Sequence, residues 1–383
     1  MAITGIKSDR IFTPDGFRAG YVYFDRDKIL QVTSQQLPCD REIDASGLIV
    51  SPGFIDLHVH GAAGYDFSQA TAEEMATAID CHLRHGTTTL LPTVTSVGRG
   101  TLCRALEQFR VCKERNLSPA RMPGMHLEGP YFSSEKSGAQ SKDIITPPKS
   151  DDYTYVTEHY GDLITRWSFA PELPGAMEFC KYLQSHNILP AIGHSDATYE
   201  DCVTAFGLGC RLITHLYSCT STIVRKNSYR TLGIVEAAWL LDDMYAEIIA
   251  DGRHLPPELI RMIVKIKGPD TVCLVTDALS VTCSDLSAST VGDVAFIVED
   301  GVAKLPDRSA FAGSIATADR LIRTCVQEAG IPLEAALTMM TRTPARLLGL
   351  NSGVLQPGAL PDMVVFDDNI RIQSVFVGGE KII

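Results

Sequence analysis

Residues 54–61 read FIDLHVHG, and the fold can be built outward from this stretch. It is an apolar run of strand length with His58 and His60 two positions apart. In a strand, residues i and i+2 point to the same side, so both imidazoles can face one interior and grip one metal ion. An HxH pair alone is ordinary. Entered through PGFID and followed by Gly61, this one carries more weight.

Seven further short apolar runs recur along the chain: TTTLLPTVT (87–95), MPGMHLEG (122–129), RWSFAPE (166–172), LPAIGHSD (189–196), RLITHLYS (211–218), AEIIADGRH (246–254) and VCLVTDA (272–278). Most are followed by a stretch of helical pattern, such as AEEMATAIDCHLRHG (72–86) or PPELIRMIVKIKG (256–268). Eight strand–helix repeats predict a closed, TIM-like (β/α)8 barrel of the α/β class. The first ~50 and last ~30 residues read instead as short strands split by polar turns. They predict one small discontinuous β-sandwich domain, residues 1–52 with 353–383, set against a barrel of residues 53–352.

The predicted barrel gives the polar residues their meaning. His58, His60, Glu128, His194, His215, His254 and Asp277 all stand at the C-terminal ends of these runs. In a barrel those ends meet at one mouth, where active sites are built. Glu128 ends an apolar approach, and a carboxylate facing such an interior is costly unless paired or metal-bound. With His194 and His215 it supplies an N2O donor set that borderline divalent metals favour. A metal there would lower the pKa of a bound water and polarise a carbonyl. A carboxylate beside that water could take its proton and pass it to a departing nitrogen. Hydrolysis of an unactivated amide is the chemistry these parts suit. His126 reads as a supporting residue, and His82, His85, His159 and His186 as packing or surface histidines.

Charge and composition narrow the partners. The chain of 383 residues is 45% hydrophobic and 21% charged, with a formal charge of −12. Such an acidic balance argues against nucleic acid or an anionic membrane as the main partner. The N-terminal MAITGIKSDRIFTPDG has no apolar signal core, and no run approaches the ~20 apolar residues of a membrane span. The eleven cysteines form no CxxC pair and several, such as Cys180 and Cys273, lie in apolar runs. Free thiols in a reducing cytoplasm are expected.

Taken together, PGFIDLHVHG, HLEGP, GHS, THLY, ADGRH, LVTDA and AGS resemble the N-acetylglucosamine-6-phosphate deacetylases of the amidohydrolase superfamily. The resemblance runs on through TRTPARLLGL and GVLQPGALPDMVVFD near the end of the chain. HxH and TDA are shared by many amidohydrolases. HLEGP is more specific, because relatives such as the dihydropyrimidinases use a modified Lys from the fourth strand, and RWSFAPE contains none.

The resemblance implies one or two divalent metals per chain, with zinc favoured and iron or manganese open. Glu128, His194 and His215 match the main metal site. His58 and His60 match a second site, with Glu128 bridging. Asp277 matches the catalytic acid/base beside the metals, and His254 the residue contacting the substrate carbonyl. Arg230 matches an arginine that binds the sugar phosphate across a homodimer interface. Ser218 and Cys219 match positions whose backbone lines the sugar pocket.

Two departures stand out. KSGAQ places Gln140, after Ala139, where the family has a sugar-contacting His. The segment SCTSTIVRKNSYR (218–230) is longer than usual, so Arg225 could stand in for Arg230. The expected reaction is removal of the N-acetyl group from an amino sugar, N-acetylglucosamine 6-phosphate first. An amidohydrolase for another N-acyl compound and a non-catalytic barrel scaffold are the alternatives. Acetate release from a panel of N-acetyl compounds separates the first two, and metal content separates both from the third.

Overall fold

The computed structural model describes residues 2–383. All eight runs form strands of one parallel sheet: β1 (Phe54–Val59), β2 (Thr87–Val94), β3 (Met125–Glu128), β4 (Ile164–Phe169), β5 (Leu189–Ile192), β6 (Leu212–Ile213), β7 (Tyr245–Ile248) and β8 (Val272–Leu274). Each strand pairs with its successor in chain order. The circle closes where the chain beyond β8 returns to β1: Asp277 N donates to His58 O at 2.8 Å and His60 N to Ala278 O at 2.9 Å. Every residue of β1 and β2 is buried. That explains why these strands read as near-continuous apolar runs rather than alternating ones, since parallel barrel strands are covered on both faces.

Helices wrap the outside. The two stretches singled out as helical are observed as Ala72–Arg84 and Pro257–Lys267. The first begins at a capping box, with Thr71 accepting from Glu74 N and the Glu74 side chain reaching back to Thr71 N. Losing a cap of this kind costs about 1 kcal/mol. Met75, Ile79 and Leu83, four residues apart, form its buried stripe.

The two termini share one eight-stranded sheet. Its long strand Thr4–Thr13 pairs with Gly16–Phe24, and along its other edge with Arg41–Asp44 and then Ile49–Pro52. Ile49–Pro52 in turn pairs antiparallel with Met363–Phe366 from the far end of the chain. Ile6, Val22, Phe24, Val50, Met363 and Phe376 belong to its buried core. The chain passes from this sheet into β1 at Gly53, where any Cβ would lie 2.0 Å from Thr88 Oγ1. Glycine is therefore required in the PGF entry.

Two elements were not anticipated. A four-stranded antiparallel sheet (Ala288–Val291, Val294–Glu299, Val302–Lys304, Phe311–Gly313) follows β8. The segment after His215 carries a hairpin, Val224–Lys226 with Tyr229–Thr231, in which Arg225 opposes Arg230. Among the described residues no helix is long and apolar enough to cross a membrane.

Candidate metal centre and active site

The donor residues converge at the mouth of the barrel. His58 and His60 project to one side of β1 as their spacing requires, with Nε2 atoms 3.1 Å apart. Glu128 ends β3, and His194 and His215 stand just beyond β5 and β6. Glu128 Oε1 lies 3.2 Å from His194 Nε2 and 3.0 Å from His215 Nε2. The same oxygen is 3.4 Å from His58 Nε2, while Oε2 is 3.3 Å from His60 Nε2. Asp277 Oδ1 is 3.2 Å from His60 Nε2 and 3.5 Å from His58 Nε2.

Two trios result, Glu128–His194–His215 and His58–His60–Asp277, each with its donor atoms within 4.8 Å of one another. Glu128 stands between them. His194, His215 and Asp277 all have left-handed backbone, with φ of 45°, 29° and 49°. Such φ values in non-glycine residues cost on the order of 1–3 kcal/mol each and cluster where function demands a particular aim.

The donor set fits divalent metal. His194 Nδ1 lies 2.9 Å from Lys136 O and His215 Nδ1 3.1 Å from Ser218 O. A carbonyl only accepts, so both Nδ1 atoms carry the proton and both Nε2 lone pairs face inward, 3.2 Å apart. Lone pairs so placed repel unless a cation lies between them. Around an ion with metal–nitrogen bonds of about 2.0–2.1 Å, tetrahedral donors sit about 3.3 Å apart. The observed spacings of 3.0–3.5 Å match that shell.

The electrostatics of the metal-free protein point the same way. Burial works against charging His58 and His60, but Glu128 and Asp277 outweigh it and push them to about 9 and about 10. Burial likewise opposes ionisation of Glu128 and Asp277, yet the imidazoles around them hold both carboxyls below their ordinary range. The cluster demands positive charge, from protons or from metal.

A cavity of about 300 Å³ opens over this centre, lined among others by Ala139, Gln140, Ser218, Cys219, His254 and Phe311. That size is at the lower end for small-molecule sites. His254 Nδ1 donates to Asp251 Oδ2 at 2.8 Å, which leaves its Nε2 for the cavity. Burial raises Asp251, but His254 and two backbone N–H groups hold it below its ordinary value. The Cys219 side chain, and not only its backbone, lies near the centre: the position of a Cβ on Gly138 is close to both Cys219 Sγ and, at 3.5 Å, His194 Cε1. A Cβ on Gly138 would lie 2.6 Å from Cys219 Sγ, which accounts for the glycine of KSGAQ.

Gln140 is turned toward the centre. Its Oε1 accepts from Thr95 Oγ1 at 2.8 Å and Ser96 N at 2.9 Å, which fixes the orientation of the amide. Its Nε2 then donates to Glu128 Oε2 at 2.6 Å. Arg225 and Arg230 lie elsewhere, on the exposed hairpin strands, and do not line this chain's cavity. His126 packs edge-on to His58, ring centroids 4.5 Å apart, and bonds Ser168 Oγ at 2.8 Å. It supports the centre from below.

Several residues escaped sequence reasoning. Asp251 was visible in ADGRH, three positions before His254, but carried no signal apart from the fold. Beneath the metal centre Arg166 of β4 and Glu247 of β7 form a fully buried ion pair, with Arg166 Nη2 3.1 Å from Glu247 Oε2. Glu247 Oε2 also approaches His58 Nδ1 at 3.6 Å. Phe311, Ala312 and Gly313 reach the cavity from the unanticipated sheet. In AGS, a Cβ on Gly313 would come within 3.0 Å of Asp277 O, so this glycine lets the backbone pass close behind the carboxylate.

A closed (β/α)8 barrel whose strand ends deliver these two donor trios to one cavity defines the class: the protein is a metal-dependent amidohydrolase. Residues 49–382 match the amidohydrolase family. The chain is 30% identical to an N-acetylglucosamine-6-phosphate deacetylase of Caenorhabditis elegans, over 99% of this chain and 91% of that one. It is 32% identical to the Homo sapiens deacetylase of that name, over 90% and 85%. Among solved structures, a mutant deacetylase from Mycobacterium smegmatis in complex with N-acetyl-D-glucosamine-6-phosphate superposes with a TM-score of 0.92, at 29% identity over 100% of both chains. The enzyme from Pasteurella multocida gives 0.92 at 28%, over 99% of both. The chain belongs to the amidohydrolase family and, within it, to the N-acetylglucosamine-6-phosphate deacetylases.

Proposed function

We propose that the protein hydrolyses the N-acetyl group of N-acetylglucosamine 6-phosphate, giving glucosamine 6-phosphate and acetate. The observation that carries this is the pair of adjacent donor trios, Glu128–His194–His215 and His58–His60–Asp277, at the floor of a cavity of monosaccharide size. Glu128, His194 and His215 would hold one divalent ion, and His58, His60 and Asp277 a second, with zinc favoured. Such an ion lowers the pKa of water and polarises the amide carbonyl.

The chain's own groups do the rest. Asp277, held ionised, accepts the proton of the attacking water and returns it to the departing amine. His254, oriented by Asp251, presents Nε2 toward the carbonyl oxygen as charge develops there. Ala139, Ser218 and Cys219 shape the sugar's surroundings.

The phosphate needs a cationic fork. Among the described residues no Lys or Arg lines the cavity of a single chain. The exposed hairpin bearing Arg225 and Arg230 would supply it by reaching the cavity of a second copy in a homodimer. The eleven free thiols suit a reducing cytoplasm.

The same lack of a cation within one chain, together with the uncharged Gln140, favours one second reading: an unphosphorylated or epimeric N-acetylhexosamine as substrate. Acetate release from N-acetylglucosamine, N-acetylgalactosamine and their 6-phosphates decides. A higher kcat/KM for N-acetylglucosamine 6-phosphate supports the first reading. No advantage from phosphate overturns it.

A further inference from the structure

A second cavity, of about 520 Å³, opens where the outside of the barrel meets the sheet built from the two termini. Three segments supply its charged residues. The end of the helix Ala72–Arg84 brings Arg84 and His85, the helix Ala318–Arg323 brings Asp319 and Arg323, and the loop before the strand Ile372–Val377 brings Arg371. This cavity shares no residue with the one over the metal centre. Its volume falls within the ~300–1,000 Å³ of small-molecule sites.

Its charge runs against that of the chain. The protein carries a formal −12, yet this wall holds three guanidinium groups against one carboxylate. That carboxylate is already engaged: Asp319 Oδ1 accepts from Thr317 Oγ1 at 2.5 Å and lies 3.2 Å from His85 Nδ1, and Oδ2 accepts from Arg323 Nη1 at 2.8 Å. The two acids of the adjoining loop are taken as well. Asp367 Oδ1 accepts from the backbone N–H groups of Asn369 and Arg371, and Asp368 pairs with Arg10. Among the described residues, neither Arg84 nor Arg371 finds an ion-pair or hydrogen-bond partner for its guanidinium, and both face the cavity.

The loop is bent to this shape. Ile370 has a φ of 57°, and a β-branched residue there is a true outlier. Burial of its side chain and a 2.8 Å hydrogen bond from Arg323 Nη1 to its carbonyl hold it in place. Arg323 thus fixes the loop that carries Arg371 against the barrel wall. A basic residue in the last turn of a helix can simply complement the helix dipole. That accounts for Arg84, but not for Arg371, which stands on a loop of the terminal sheet and is aimed at the same space. We propose that this cavity is a second ligand site, one that binds the phosphate dianion of a small molecule between Arg84, Arg323 and Arg371.

Phosphate suits these groups better than a simple carboxylate does. Each guanidinium presents a rigid fork that matches two phosphate oxygens at once. A phosphate monoester carries roughly −1.5 to −2 charge at neutral pH, enough to answer more than one arginine. His85 adds charge from behind, since Asp319 above all holds its imidazole up to about 9. Inorganic phosphate and phosphate esters share this chemistry. The site does not depend on which sugar the metal centre hydrolyses.

The test uses the full-length, metal-loaded protein with inorganic phosphate as the probe, and glucose 6-phosphate and acetate in parallel. Hydrogen exchange read by mass spectrometry should slow in peptides covering residues 82–86, 319–327 and 367–372 as phosphate is added. The concentration giving half of that protection reports affinity for this site alone, and it should rise with added sodium chloride. Arg84→Ala and Arg371→Ala should each raise it roughly tenfold while leaving thermal unfolding and kcat unchanged. Arg230→Ala should leave it as it is. Equal protection by glucose 6-phosphate assigns the site to phosphate esters, and protection by inorganic phosphate alone assigns it to the free ion; either supports a phosphate site. Protection absent from these three segments at millimolar phosphate would overturn the proposal. So would protection unaltered in both Arg84→Ala and Arg371→Ala, or protection by acetate as strong as by phosphate.

Discussion

Replacing Gln140 by alanine tests how the metal centre is held. The side chain donates from Nε2 to Glu128 Oε2 at 2.6 Å, and both acceptor positions of its own oxygen are taken by Thr95 and Ser96. The amide therefore cannot turn, and Glu128 is pinned at the atom nearest His60. A hydrogen bond to a charged group contributes about 1.5–3 kcal/mol. At 1.36 kcal/mol per decade that is roughly 10–150-fold in the affinity of the centre for metal. Outer partners of metal ligands independently suggest 10–100-fold. Loss of the side chain also leaves Thr95 Oγ1 and Ser96 N without their acceptor, but both stand near the cavity, where water can replace it. Thermal unfolding of the metal-free protein should change little by comparison. The assay is competition for zinc between the apo-protein and a chelator of known affinity, for the parent and for Gln140→Ala. Metal affinity within threefold of the parent would refute the reasoning, because Glu128 would then keep its position unaided.

Asp277→Asn should keep the fold and the KM but lower kcat by roughly 10²–10⁴-fold, the usual worth of a positioned proton acceptor; steady-state rates within a few-fold of the parent would place that role elsewhere. His58→Ala with His60→Ala should remove one ion and leave the Glu128–His194–His215 trio loaded, and full occupancy by elemental analysis would count against a two-metal centre. In the metal-free protein His58 and His60 stay protonated up to about 9 and about 10, so protons compete with metal below those values. Metal uptake at pH 7 should therefore release protons into a weakly buffered solution, and apparent affinity should climb with pH toward 9–10; uptake without proton release would contradict this. Arg230→Ala should raise KM for N-acetylglucosamine 6-phosphate and leave the unphosphorylated sugar nearly untouched, as measured by acetate release.

What was legible in the sequence is the part that local geometry settles. Two histidines in β1 share a side because a strand has period two, whatever surrounds it. His194, His215 and Asp277 could be placed at one mouth because eight strand–helix repeats leave a closed barrel as the way to cover both faces of every strand, and closure gathers all C-terminal ends. Even the glycines of PGF and AGS were visible as motifs, though their reason, a Cβ colliding with Thr88 or crowding the backbone behind Asp277, was not.

Other features depended on distances between loops that no spacing along the chain encodes. Gln140 could be read as a substitution for a sugar-contacting histidine, but its grip on Glu128 exists only because Thr95 and Ser96, from the end of β2, meet it there. His85 reads as a packing or surface histidine, and the structure sets its Nδ1 3.2 Å from Asp319 Oδ1, far away in sequence. Arg225 and Arg230 read as one basic cluster, and the hairpin that pairs them, away from the cavity of their own chain, was not visible in the spacing. The sequence by itself determined the barrel, its donor residues and their chemistry, since strand periodicity and closure translate directly into side-chain direction. Only the tertiary structure decided which outer groups orient those donors, because hydrogen bonds between loops depend on a few ångströms that the packing of the whole barrel sets.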